Sequence, residues 1–580
     1  MAAPRSEDEL VPAIHRRCRR SLAAILSCVI LALCTAPAGR AAEPRAAYRH
    51  QTLTLPAAPS AVVATDLDGD GDRDLLIAVA YSEWGEISED RFEELAFFTE
   101  VVPALFDRRA LLAFLRQADG TYSQAAAPME LPLAVLTIAG GPRKAPALAL
   151  TDDGLGRITL QQSPGGDGTL ELRPLLADPP VLAGSETILT GLDLYRQTAT
   201  DQGEVLLPAR DGIAAYAVSG GELAVAAASR LRFASDEIRS GAAARRSYPL
   251  PMRADIDGDG VADLVVKHGA GKHEKTLLVA LGRGHARYLE PRAVDLAAVM
   301  PVSGGGDSGA STRAATPSAD GNSVDNEDDE ERWQLCFVGD IDGKRGAEIA
   351  LRRQQRTNRG ELREAKEPRV QYRFHRVLAD LTIERQPYST LDAVGHGFEF
   401  SLADLSARMF RDLDGDGRKD LITVTLDFSL LQTLRVLATK RVSIDLAFHV
   451  YRQVESGGFA MVDGLSLEET VRIDLNDLNL GRLGNFAGDF DGDGKIDFVR
   501  LGKERRVAIH KGLAACRYPR RPDLRIDLIE PPGHVGLISI RDLNGDGRDD
   551  LTVIRPLRSA DPALSDPVLL DLYVSGNAPS

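Results

Sequence analysis

Apolar residues along this chain come in short runs: LLIAV follows Asp74, LVV follows Asp263, LITV follows Asp420, FV follows Asp497 and LTVI follows Asp550. Runs this short, rich in β-branched residues and bounded by Asp and Gly, predict strands rather than helices. A second apolar stretch precedes the acidic turns, as AVVA does before Thr65 and LISI before Arg541, so the pattern predicts β-hairpins closed by acidic loops. Helical periodicity stands out in residues 82–103, ending EELAFFTEVVP, and in residues 427–440, containing LLQTLRVLA; both are predicted as helical insertions. Residues 303–332, rich in Gly and Ser and then acidic, read as a disordered loop.

The acidic loops repeat one pattern: DLDGDGDRD from Asp66, DIDGDGVAD from Asp255, DLDGDGRKD from Asp412, DFDGDGKID from Asp489 and DLNGDGRDD from Asp542. Oxygen donors recur at positions 1, 3, 5 and 9, with glycines where the chain must turn sharply. Ca²⁺ takes about six to eight oxygens in flexible geometry and suits this set, whereas Mg²⁺ resists losing so much hydration. The expected calcium ligands are Asp66, Asp68, Asp70 and Asp74; Asp255, Asp257, Asp259 and Asp263; Asp412, Asp414, Asp416 and Asp420; Asp489, Asp491, Asp493 and Asp497; and Asp542, Asn544, Asp546 and Asp550. The position-7 residues Asp72, Val261, Arg418, Lys495 and Arg548 would contribute main-chain carbonyls. One copy alone reads equally well as a solvated Asp-Gly turn, but a self-repelling carboxylate set kept five times argues for a cation. In a worn copy, DIDGKRGAE from Asp340, Lys344 replaces the position-5 acid and is expected to stand in for the ion, leaving that loop metal-free. An EF-hand is excluded, because position 12 holds Ile77, Val266, Thr423, Arg500 and Val553 instead of the bidentate Glu it requires.

A D-x-[DN]-G-D-G-x-x-D loop followed by a hydrophobic strand resembles the FG-GAP/VCBS repeat of integrin-like β-propellers. The resemblance implies an all-β, calcium-binding propeller in which each loop joins the two innermost strands of a four-stranded blade. The gap from the loop at 66 to the loop at 255 is more than twice any other, and two units without acids fill it. One runs through LAVLTIAG, ALALTDD, GRITLQQ and TLELR, the other through ILTGLDL, EVLLPAR and GIAAYAV. Eight blades follow, with seven as the alternative if one unit is an insertion. The last blade lacks an outer strand, and HQTLTLP at 50–56 is expected to supply it and lock the ring. The helical insertions, with residues 354–368 and 557–566, would lie on the face opposite the loops, a candidate binding surface.

Composition narrows the function. A formal net charge of −16 argues against a nucleic-acid partner. Arg16, Arg17, Arg19 and Arg20 before the apolar stretch Leu22–Leu33, with small residues near Ala41, read as a signal peptide over residues 1–41, so the propeller at 42–580 is expected to be exported to the periplasm, cell surface or medium with no stable membrane span. Three of five cysteines fall in that leader; Cys336 and Cys516 would be a bridge or two buried thiols. No HExxH or histidine pair at ligand spacing occurs, and GDSG at 306–309 has no companion motif, so no catalytic residues are assigned. The chain reads as a binding or scaffold module for a protein or glycan, not an enzyme. The alternative is a polysaccharide lyase or hydrolase with spatially paired carboxylates, for which Trp84 and Trp333 would stack on a sugar.

Overall fold

A computed structural model describes residues 47–576 apart from 82–99, 102–107, 133, 142–144, 163–167, 178–189, 192–194, 198–201, 210–211, 220–221, 225, 233–235, 241–242, 248–250, 268–274, 301–332, 355–368, 398–408, 428–440, 464–466, 475–483, 502–504, 531–537 and 557–567. The predicted leader, Trp84 and the 303–332 loop lie outside the described residues. The same holds for residues 428–440 and most of 82–103. Of that second segment Glu100–Val101 is described, and it is a strand, not a helix.

Eight small antiparallel sheets form an eight-bladed β-propeller, and the described residues contain no helix. From first strand to fourth, blade one is Pro59–Thr65, Asp74–Tyr81, Arg108–Arg116 and Tyr122–Gln124. Blade two is Val135–Ala139, Ala147–Thr151, Gly154–Gln162 and Gly168–Ala177. Blade three is Tyr195–Gln197, Gln202–Ala209, Gly212–Ser219 and Ser229–Arg232. Blade four is Met252–Ala254, Asp263–Lys267, Thr276–Ala280 and Arg292–Asp295. Blade five is Gln334–Gly339, Glu348–Gln354, Arg369–Arg376 and Ser389–Val394. Blade six is Phe410–Arg411, Asp420–Asp427, Arg441–Gln453 and Glu468–Asp474. Blade seven is Gly484–Phe486, Phe498–Leu501, Arg506–His510 and Leu524–Asp527. Blade eight is Ile538–Arg541, Asp550–Pro556, Val568–Gly576 and, as its fourth strand, Ala47–Leu55 from the start of the chain.

The continuous apolar runs follow from this ring, because each strand near a blade's centre is covered on both faces by the neighbouring blades. In Asp74–Tyr81, Leu75, Ile77 and Val79 pack with Leu570 and Leu572 of blade eight, while Leu76 and Ala78 pack with Val135 and Ile138 of blade two. Successive side chains leave a strand on opposite faces, so both parities must be apolar. One buried hydrophobic cluster fills each of the eight interfaces between successive blades, including the one between blades eight and one.

Closure is fastened by a buried carboxylate. Asp571, in the third strand of blade eight, accepts from Thr52 Oγ1 at 2.6 Å, meets His50 Nε2 at 3.1 Å, and accepts from Arg555 Nη2 at 3.0 Å and from Arg555 Nε. Tyr48 Oη reaches past its own blade to the carbonyl of Phe490 in blade seven at 3.1 Å. Burial pushes the Asp571 carboxyl up, but the bonds from Arg555, Thr52 and His50 outweigh it and hold the group below the ordinary aspartate value. Its stabilisation is therefore present above about pH 4 and is lost as pH falls through the depressed folded value. Asp571→Ala leaves the Arg555 guanidinium only the exposed Glu530 carboxylate, 3.4 Å from its Nη1, and is expected to cost about 3–5 kcal/mol in urea unfolding. A cost under about 1 kcal/mol would mean that the pair acts only as an exposed one.

Three details depart from the sequence reading. Of the ILTGLDL segment Thr190–Gly191 is described, and it pairs in parallel with Val135–Ala139 of blade two, while Tyr195–Gln197, just beyond the segment, opens blade three. A small three-stranded sheet of Asp236–Ser240, Ala243–Ser247 and Glu100–Val101 was not foreseen. Trp333 is buried, with the guanidinium groups of Arg353 and Arg373 at 5.0 and 4.2 Å from its ring centre, so its faces are engaged within the protein.

Candidate metal centres

All six acidic loops join the first and second strands of their blades: 66–74 in blade one, 255–263 in four, 340–348 in five, 412–420 in six, 489–497 in seven and 542–550 in eight. Blades four to eight and one are consecutive around the ring, so the loops form an arc. They touch. Lys419 N–H donates to the Ile341 carbonyl at 2.9 Å, Ile496 N–H to Leu413 at 3.1 Å, Asp549 N–H to Asp489 at 2.8 Å, and Arg73 Nη1 to Asp542 at 2.9 Å. The position-4 glycine makes the approach feasible. Gly343 has φ +73°, and an added Cβ would meet the Gly417 carbonyl at 3.0 Å.

Within a loop the position-1 carboxylate organises the turn. In the first, Asp66 accepts from Gly69 N–H at 2.7 Å and Gly71 N–H at 3.1 Å; Asp489 does the same for Gly492 and Gly494, both at 2.7 Å. The position-7 N–H donates to the position-5 carboxylate in all five full copies, as from Asp72 to Asp70 at 2.8 Å, Val261 to Asp259 at 2.8 Å, Arg418 to Asp416 at 3.0 Å, Lys495 to Asp493 at 2.9 Å and Arg548 to Asp546 at 2.9 Å. Donor atoms of Asp66, Asp68 and Asp70 lie within 4.8 Å of one another, as do those of Asp255, Asp257 and Asp259 and those of Asp412, Asp414 and Asp416.

Position 9 is different. Asp74, Asp263, Asp420, Asp497 and Asp550 are buried, and each bonds two main-chain N–H groups: that of position 2 and that of the residue ending or following the third strand, Arg116, Gly282, Gln453, Gly512 and Ser575 in turn. This carboxylate therefore ties the loop to its own blade; outside blade six, where Asp420 Oδ2 also accepts from the Cys516 thiol, these bonds leave each oxygen a second lone pair for a cation. Burial pushes Asp74, Asp263, Asp420 and Asp550 up to about 6 and Asp497 to about 7, against the N–H bonds that favour the anion. Glu348 holds this position in the worn loop and is pushed up to about 7 in the same way.

The fit to a hard cation is good in chemistry, since the set is all oxygen, and it shows in the bonding: Asp255 Oδ1 and Asp414 Oδ1 are buried and accept no hydrogen bond. The loops differ in how far the protein neutralises itself. Lys344 Nζ lies 3.0 Å from Asp342 Oδ2, and Arg376 Nη2 lies 3.2 Å from the same oxygen. Burial raises Asp342, but these cations outweigh it and hold the carboxyl down. Lys344 thus pairs with Asp342, while Asp340, Asp342 and Glu348 still hold donor atoms within 4.8 Å of one another. Arg452, unforeseen, bonds Asp414 and Asp416, both at 3.0 Å, and Lys511 and Lys495 lie 2.7 Å from Asp491 and Asp493. Asp66, Asp68 and Asp70 have no ion pair among the described residues. Cys336 and Cys516 form no disulfide.

No family model and no curated protein matches the chain. Among solved structures it is similar to a protein from Lactobacillus plantarum at 9% identity, covering 74% of this chain and 96% of that one with a TM-score of 0.28. It is also similar to a Bacteroides fragilis protein provisionally named a 6-phosphogluconolactonase, at 12% identity, 73% and 92% coverage and a TM-score of 0.27. Neither likeness bears on activity; the fold rests on the sheet order and the eight interfaces.

Proposed function

We propose that this propeller is an exported calcium-binding protein of the FG-GAP/VCBS kind, serving as a rigid binding module for a protein or glycan partner. The observation that carries this reading is the arc of touching loops, whose converging carboxylates include two buried oxygens without a hydrogen-bond partner. An ion at positions 1, 3 and 5 would relieve their mutual repulsion and rigidify one end of the ring. The basic leader followed by Leu22–Leu33 supports export. A closed ring presents its connections on a scaffold that does not deform, which suits recognition by loops.

Calorimetric titration of the purified protein with calcium is the test. The five full loops are expected to take up ions that magnesium does not displace, and Asp493→Ala should remove one equivalent while leaving the others. No heat with the intact protein would remove calcium from the reading, and an unaltered stoichiometry in Asp493→Ala would remove that loop. A glycan array and pull-down run with calcium and with chelator then test the module role, with calcium-dependent capture expected and no capture in either condition counting against it.

A further inference from the structure

The loop of blade six has a neighbour the other loops lack. The hairpin between the third and fourth strands of blade seven turns at Ala515 and Cys516, both left-handed at φ 61° and 53°. The corresponding turn of blade four is made by His285 and Ala286, without a thiol. From blade seven this turn reaches the preceding blade: Ala515 N–H donates to Asp414 Oδ2 at 2.8 Å, and the Cys516 thiol donates to Asp420 Oδ2 at 3.1 Å. Asp414, Asp420 and Cys516 are all buried, and one donor atom from each lies within 4.8 Å of the others.

Two further observations mark the place as short of a partner. The Asp414 side chain is 2% exposed; its Oδ2 is taken by Arg452 and Ala515, while its Oδ1 accepts nothing. Gln453, whose main-chain N–H donates to Asp420 Oδ1 at 3.0 Å, is fully buried, and neither atom of its side-chain amide has a partner. Buried polar atoms left unsatisfied cost about 1–3 kcal/mol each, and Asp414, which carries the unpaired Oδ1, shares its donor group with the Cys516 thiol, so the place calls for a ligand.

We propose that Asp414, Asp420 and Cys516 bind a thiophilic divalent ion of the Zn²⁺ class, which joins blade six to blade seven. Sulfur selects such ions, whereas calcium takes oxygens. With Zn–O near 2.0 Å and Zn–S near 2.3 Å, tetrahedral donors stand roughly 3.5 Å apart, to be compared with 3.1 Å between Cys516 Sγ and Asp420 Oδ2 and at most 4.8 Å among all three. Charge is largely offset: two carboxylates and a thiolate meet one divalent ion and the Arg452 guanidinium, 3.0 Å from Asp414 and shared with Asp416. On binding, the metal replaces the thiol proton, which leaves to solvent, and water takes the fourth position. The site takes over two residues that the calcium reading gives to this loop and leaves the other four full loops unchanged.

Cadmium is the probe, because a cadmium–thiolate bond announces itself by ultraviolet charge-transfer absorption. The full chain with Cys18, Cys28 and Cys34 changed to serine, reduced and metal-stripped, is titrated with Cd²⁺ and then with Zn²⁺ in competition. Absorption should saturate at one equivalent, persist in Cys336→Ser and vanish in Cys516→Ser. Asp414→Asn keeps the side chain's shape and thiol, and should weaken the site by at least the roughly 10–100-fold that outer-shell partners alone command. Absorption that survives Cys516→Ser, or none in the parent, overturns the proposal; should Cys516→Ser fail to fold by circular dichroism, an unweakened Asp414→Asn does so. Calcium titrated separately keeps the two readings distinct: prior zinc should lower its stoichiometry by one, and a protein that takes cadmium but no calcium would refute only the calcium reading.

Discussion

Deleting residues 47–55 is expected to destabilise the entire ring, not just blade eight. Leu53 and Leu55, 4% and 0% exposed, belong to the cluster that seals blade eight against blade one. Truncating one buried leucine typically costs about 2–5 kcal/mol, and the deletion removes two. It also takes Thr52 and His50 from Asp571 and leaves Val568–Gly576 as an unpaired edge. A total loss above about 5 kcal/mol consumes much of a typical protein's stability, so the truncated chain should unfold at far lower urea and expose a sticky edge. Adding a peptide of residues 44–58 in trans should recover part of the loss. An unchanged urea midpoint in the truncated chain would refute closure by this strand.

Removing calcium is the second large expected effect, and it follows from the proposed function. An ion bound only by the folded state contributes about 2.7 kcal/mol per independent site when present at a hundred times its dissociation constant. Several sites in one arc should therefore raise the melting temperature far more than any single substitution lowers it, with magnesium giving little. pH adds a sign. The position-9 carboxyls, pushed up to about 6 or 7 by burial, hold protons more tightly folded than unfolded. Their contribution is complete below the ordinary value near 4 and is lost as pH rises through 6 to 7. The chelated protein should thus be more stable near pH 5 than near pH 8, and calcium should remove that slope. A chelated protein with no such slope, and no rise on adding calcium, would leave the acidic loops as hairpin turns alone.

The ring was legible because its causes are local. An apolar run such as LLIAV needs cover on both faces, and a loop such as DLDGDGDRD fixes which two strands it joins. Even the blades without acids could be found, since Val135–Ala139 and Gly212–Ser219 keep the same two-faced burial. The 50–56 strand was recognised from the strand the last blade lacked. What stayed hidden depends on distant partners. Tyr195–Gln197 and Thr190–Gly191 are too short to show a period, and only the blade each joins tells them apart. Arg452 meets Asp414 from the third strand of the blade, and Cys516 meets Asp420 from the next one. No spacing rule connects such residues. The double duty of position 9, a tie to the third strand as well as a candidate ligand, was likewise invisible in a motif that ends where that tie begins.

The fastening of the first strand onto the last blade also sets an order in time. Thr52 and Asp571 are 519 residues apart, so at a synthesis rate of about 5–20 residues per second the first emerges roughly 30–100 s before its partner exists. For that interval every completed blade stands in an open row with two bare ends, and no amount of local folding can shorten the wait. A chain that stops short of Val568, or is trimmed past Leu55, would keep seven complete blades and leave the eighth without the strands that fasten the two ends together.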